Sequence, residues 1–176
     1  PGCGQSDLYK VLTAEDFTVT HERFEIWECG NCSLRFTQFV PGPEAIGPYY
    51  QSETYISHSD TNKGIINRLY HKVRSHTLGQ KRKMIETITG FSRGKILDLG
   101  CGTGAFLQEM KKSGWEVTGL EPDQNARKKA KELYQLSVES SDKLFALPPE
   151  SFDAITMWHV LEHVHELHEY LDQLRQ

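Results

Sequence analysis

The sequence lacks any run of about 18 apolar residues of the kind that crosses a bilayer, and its first residues carry no basic-then-apolar secretory pattern. Those absences predict a soluble chain with no membrane partner, cytoplasmic by default. A charge excess is also missing: 20 Lys and Arg stand against 24 Asp and Glu, a net charge of -4. That balance gives no general attraction for nucleic acid. The local exception is a basic stretch, Lys63, Arg68, Lys72, Arg74, Lys81, Arg82 and Lys83, whose simplest reading is a solvated helix face. Cysteine is scarce too, with only four in 176 residues, and their spacing is not that of a disulfide framework.

What cysteine there is carries a pattern. Cys29 and Cys32 form C-G-N-C, a spacing that lets one tight turn present two thiolates to a tetrahedral zinc ion. Cys3 lies in P-G-C-G, and a cysteine immediately before Pro1 would complete a zinc-knuckle C-P-G-C-G. The expectation is therefore a structural zinc on Cys3, Cys29 and Cys32, with the fourth ligand just ahead of Pro1 and His21 as a substitute. Around the turn, "FTVTHERFEIWECGNCSLRFTQFV" alternates apolar and polar residues as a hairpin does. Residues 1–40 thus read as a small β-rich ribbon held by metal. The Pro- and Gly-rich "PGPEAIGP" follows, and then Tyr49, Tyr50, Tyr55 and His58, loop aromatics that are candidates for a substrate mouth. Residues 64–90 carry helical spacing, so 41–92 reads as a linker and a helical lid or cap.

From Lys95 onward strands and helices alternate. "KILDL" is a buried strand, Thr103–Lys112 a helix, "WEVTGLE" a strand, Gln124–Tyr134 a helix, "SFDAITMW" a strand and His165–Arg175 a helix, with a weaker strand near Leu136–Val138. Such alternation implies a parallel sheet whose ligand lies beyond the carboxyl ends of its strands. The loop after the first strand holds Gly100, Gly102 and Gly104. It has no lysine after Gly104, which excludes a Walker P-loop. Asp98 ahead of the glycines would repel a pyrophosphate and suits a ligand carrying an ammonium and a sulfonium. Glu121, closing the second strand, is placed to accept hydrogen bonds from two ribose hydroxyls. A cationic nucleoside with a free ribose satisfies both acids.

With D-L-G-C-G-T-G, G-L-E-P-D and S-F-D-A-I-T-M-W-H-V-L-E-H-V in this order, residues 95–164 resemble the class I S-adenosylmethionine-dependent methyltransferases. The resemblance implies a Rossmann-like parallel sheet over 93–176, the N-terminal half of the cofactor-binding domain, ending after the fourth of the family's seven strands. It implies that Asp98, Gly100, Cys101, Gly102 and Gly104 cradle the methionine part of S-adenosylmethionine. Glu121 would hold the ribose, Pro122 would be a further cofactor-binding residue, Asp142 would face the adenine, and Met157 and Trp158 would border the cofactor. The N-terminal segment is similar to the zinc-ribbon extension of some bacterial methyltransferases. The implied reaction is methyl transfer to a small-molecule or glycan-like acceptor. RNA methylation and a non-catalytic zinc-ribbon binding module are the alternatives.

If the acceptor is a hydroxyl it needs a base, and His159 or His163 is the candidate. His159, Glu162 and His163 also spell the inverted zinc-protease signature H-x-x-E-H, with one helix side expected to carry all three. Some quinone and small-RNA-end O-methyltransferases that resemble the chain here hold a metal with Glu at the first of these positions. His159 departs from that set.

Overall fold

The computed structural model describes residues 2–17, 19–42, 44–50 and 65–176, with side chains at all of these except 47, 50 and 65–71. Tyr55 and His58 lie outside the described residues, as does the Tyr50 side chain. The chain divides into two compact units, Pro1–Asn62 and Lys63–Gln176. No helix among the described residues is long and apolar enough to cross a membrane.

The first unit is a three-stranded antiparallel sheet in the order β1 (Leu8–Glu15), β2 (Arg23–Cys29), β3 (Arg35–Gln38). The expected hairpin is β2–β3, closed around the C-G-N-C turn, where Cys29 N–H donates to Leu34 O and Ser33 N–H to Cys29 O. The sequence reading did not foresee β1. It pairs with β2 along its length, interrupted by an irregularity between Lys10 and Leu12. Most of its residues are exposed, so its alternation buries no face strongly enough to mark it in the sequence. Phe24, half-buried, meets Tyr49 edge-on, and the Tyr49 hydroxyl donates to Glu22.

The second unit opens with α1 (Ile65–Thr89), followed by β4 (Lys95–Leu99), α2 (Ala105–Lys112), β5 (Glu116–Leu120), α3 (Gln124–Tyr134), β6 (Val138–Glu139), β7 (Ala154–Met157) and α4 (Leu167–Leu174). Its four strands form a parallel sheet in the order β6-β5-β4-β7. The α/β architecture read from the sequence is present. The helix expected from Thr103 starts at Ala105, because Gly104 takes the left-handed conformation at its N-cap. The last helix is shorter than expected at both ends. α1 packs as part of this unit: Ile85 is in its core and Leu78 lies against it.

β4 explains the layering. Side chains alternate across a strand, so Ile96 joins Ile85, Phe106, Met110, Trp115 and Ala154 on one face. Leu97 and Leu99 join Leu120 and Leu144 on the other, where Met157, Tyr170 and Leu174 pack against them. β4 is covered on both faces, which is why Ile96–Leu99, after the exposed Lys95, reads as an apolar run interrupted by Asp98. Asp98, the buried charged residue of the strand, lies on the face shared with Ile96, near the carboxyl end where β4 gives way to the glycine loop.

Candidate functional site

A strand that runs into a turn and a helix must satisfy its last backbone groups within a few residues. Here Gly100 N–H and Cys101 N–H both donate to Leu120 O, which ties the loop to the end of β5. Glu121 completes the tie: its Oε2 accepts from Gly102 N–H at 2.8 Å and its Oε1 from Asp123 N–H at 3.0 Å. Arg127 reaches back from α3 to the carbonyls of Glu121 and Pro122. One carboxylate thus holds together the two segments that the sequence reading assigned to a single ligand. A carboxylate has about four lone-pair positions, so Glu121 keeps acceptor capacity on both oxygens.

Gly100 and Gly102 need the absence of a side chain for different reasons. Both have positive φ, 64° and 56°. A Cβ on Gly100 would run into the Val160 side chain, whereas one on Gly102 would meet no atom within 4 Å. The loop is therefore closed at its base and open at its crest, next to Glu121.

Asp98 is 2% exposed, and its Oδ1 accepts a hydrogen bond from Thr156 at 2.6 Å. Burial pushes its carboxyl up to about 7, and the nearby Glu121 charge adds to this; the Thr156 hydroxyl and the Lys81 ammonium oppose it. Lys81 comes from α1, its Nζ 4.0 Å from the centre of the Trp158 ring. Trp158 in turn meets Phe106 edge-to-face, and its indole N–H is buried without a hydrogen-bond partner among the described residues. Cys101 is no nucleophile in this setting: burial, together with the Asp98 and Glu121 charges, drives its thiol up to about 12.

The structure brings Asp98, Gly100, Cys101, Gly102, Gly104 and Glu121 together at the carboxyl ends of β4 and β5. Pro122 follows Glu121 with its carbonyl held by Arg127. Met157 ends β7 beside β4 and Trp158 follows it, Met157 packing on the Leu97 face and Trp158 on the Ile96 face. Asp142 is exposed in a short helical turn after β6. Its carboxyl is held below the usual carboxylate range, chiefly by a hydrogen bond from Ser140. Sequence reasoning missed Lys81 and Thr156. The first sat in a stretch read as solvated, and the second is a hydroxyl inside an apolar strand with no local signal.

The histidine segment differs from its expected form. His159 has φ 59° and is largely exposed, and only Leu161–His163 makes a short helical turn. The three-and-four helical spacing on which the H-x-x-E-H reading depended is therefore not realised. His159 Nδ1 lies 3.5 Å from Glu162 Oε1. Among the described residues, the group of ligating atoms that converges within 4.8 Å is Cys3, Cys29 and Cys32. In that group Cys3 Sγ and Cys29 Sγ are 3.6 Å apart, and hydrogen bonds, the largest from the Gln5 backbone, draw the Cys3 thiol down to about 6.

Comparison with known proteins agrees with this fold. A family model described as a methyltransferase domain matches residues 70–176. The chain is 41% identical over 86 residues to the ubiquinone biosynthesis O-methyltransferase of Histophilus somni, covering 43% of this chain and 36% of that protein. It is 30% identical over 116 residues to the mitochondrial enzyme of the same name from Schizosaccharomyces pombe, covering 61% and 42%. The chain thus spans less than half the length of these relatives. Among solved structures, the PH0226 protein of Pyrococcus horikoshii superposes with a TM-score of 0.52 at 23% identity, covering 72% of this chain and 56% of that one. That likeness is one of fold.

The loop geometry yields a graded expectation. Gly102→Ala should lose only the left-handed backbone penalty, about 1 to 2 kcal/mol. Gly100→Ala should lose this and a further crowding cost of about 1 to 3 kcal/mol against Val160. Urea unfolding of both variants checks the order, and Val160→Ala should restore part of the Gly100→Ala loss. Equal losses at the two glycines would show that Val160 does not press on the loop.

Proposed function

The chain belongs to the methyltransferase domain family, of the S-adenosylmethionine-dependent class I kind, and on that premise we propose that the protein methylates a hydroxyl of a small molecule, with S-adenosylmethionine as donor. The observation that carries the reading is the pair of buried acids, Asp98 and Glu121, flanking the open crest at Gly102. These residues fit the cofactor. Asp98 Oδ2 accepts no hydrogen bond among the described residues and suits an ammonium. Glu121 has acceptor positions left for ribose hydroxyls. When bound, the cofactor supplies a methyl group on a sulfonium, an already activated leaving group.

The chain's own contribution is alignment and charge. Asp98 and Glu121 hold the two ends of the ligand, and the loop amides fix the distance between them. Positioning of reacting groups at near-attack distance is worth about 7 to 11 kcal/mol. His159 stands two residues beyond the end of β7 with its imidazole largely solvent-exposed and Glu162 beside it. We assign it the role of base toward the acceptor hydroxyl, with His163 as the alternate. The relatives named as ubiquinone O-methyltransferases support a small-molecule oxygen acceptor. The basic stretch does not favour RNA: Arg82 is paired with Glu86 and Glu109, and Lys81 lies over Trp158. Tyr49 is engaged with Glu22 in the first unit, which leaves its place at a substrate mouth without support.

The converging thiols of the first unit suit zinc, since a borderline-soft cation binds thiolates and one of the three is already inclined to ionise. The role is structural: a small sheet with little buried apolar surface is held by its metal.

Three outcomes follow. Glu121→Ala should weaken S-adenosylhomocysteine binding by about 1.5 to 3 kcal/mol, the scale of hydrogen bonds to a charged group. Calorimetry measures it, and unchanged affinity in a folded variant removes Glu121 from the site. His159→Asn, which tolerates the left-handed backbone, should reduce turnover about 100-fold or more at unchanged cofactor affinity, as loss of a general base does. Turnover surviving within about threefold, far below that range, would leave catalysis to alignment alone. Elemental analysis should find about one zinc per chain, lost in Cys32→Ser. A metal-free protein with an intact first unit would contradict the assignment.

A further inference from the structure

Thr156 is the register partner of Asp98 across the parallel pair β4–β7. Its side chain is 5% exposed and lies on the sheet face that carries Ile96 and Ala154. Two acceptors are within its reach, Asp98 Oδ1 at 2.6 Å and Leu97 O at 3.4 Å. A hydroxyl has one proton to give, and the short contact to a carboxylate takes it. No other described residue donates a hydrogen bond to the Asp98 carboxylate. Lys81 acts on it only through space, from its seat over Trp158.

We propose that Thr156 is a positioning residue of the cofactor site: its hydroxyl, bonded to Asp98 Oδ1, orients the carboxylate and leaves Oδ2 to accept from the ammonium of a bound ligand. The role of Oδ2 rests on the S-adenosylmethionine reading above; the hold of Thr156 on Asp98 does not. Without the hydroxyl, a buried acid with Glu121 nearby and Lys81 at a distance favours its neutral form. A neutral carboxyl is a poor partner for an ammonium. The groups facing Asp98 are Lys81 from α1, Cys101 from the loop, Glu121 beyond β5 and Thr156 from β7. Of these, Thr156 is the only one hydrogen-bonded to it. The raised carboxyl pKa means the anion is present above about 7 and is lost as pH falls through that value.

The test has two readouts on the full-length protein. Carbon-detected titration of the Asp98 carboxyl, without ligand, should show Thr156→Val moving the midpoint upward by about one pH unit or more, the size of one lost hydrogen bond to a charged group. Thr156→Ser, which keeps the hydroxyl, should titrate like the wild type. Should Thr156→Val fail to fold, Thr156→Cys serves, because a thiol is a weak donor. Calorimetry with S-adenosylhomocysteine should then show affinity falling by up to about tenfold per pH unit below the midpoint, at higher pH in Thr156→Val than in the wild type. 5′-Methylthioadenosine, which has no ammonium, should bind without that dependence. An Asp98 midpoint unmoved by Thr156→Val overturns the proposal. A moved midpoint with pH-independent S-adenosylhomocysteine binding overturns the assignment of Oδ2 to the ammonium. Failure of the wild type to bind S-adenosylhomocysteine at any pH overturns the cofactor reading, while the titration still decides whether Thr156 holds Asp98.

Discussion

Two carboxylates buried at the ends of adjacent parallel strands impose the constraint around which the second unit is organised. A buried charge is tolerated only when hydrogen bonds or counter-charges compensate it, and Asp98 and Glu121 are compensated in opposite ways. Glu121 is bound by backbone amides, one on each oxygen, and so joins the loop after β4 to the start of α3 while keeping further acceptor positions. Asp98 has one hydroxyl and a distant lysine, so it keeps unsatisfied acceptor capacity. The site is therefore rigid on the Glu121 side and electrostatically incomplete on the Asp98 side.

The glycines belong to the same constraint. The loop must turn sharply enough for Gly102 N–H to reach Glu121, and its positive φ values are what allow this. The packing of Val160 against Gly100 links the loop to the segment after β7, where His159 stands.

Much of this was legible in the sequence, and the reasons are local. The buried strand "KILDL" announces itself by an apolar run, the loop by its glycines, and α3 by its Asp123 cap and the helical spacing that follows. The cysteine trio was legible because ligand spacing within a turn is a chain-local property, although the convergence of Cys3 on Cys29 crosses 26 residues. The histidine segment folds differently from its expected helical form. Spacing by three and four indicates one helix side only if the backbone is helical, and the left-handed conformation of His159 breaks that premise. β1 was missed because its exposed residues carry no burial signal.

The sequence by itself determined the order of elements, the place of the glycine loop and the identity of the two acids, because each of these depends on neighbours only a few positions away. Tertiary structure alone decided what those acids do in the folded chain. Thr156 reaches Asp98 across 58 positions through strand register, and Lys81 leaves a basic stretch to lie over Trp158. No periodicity or motif encodes such pairings. They follow from which strands become neighbours and from the burial that makes a single hydroxyl count for so much.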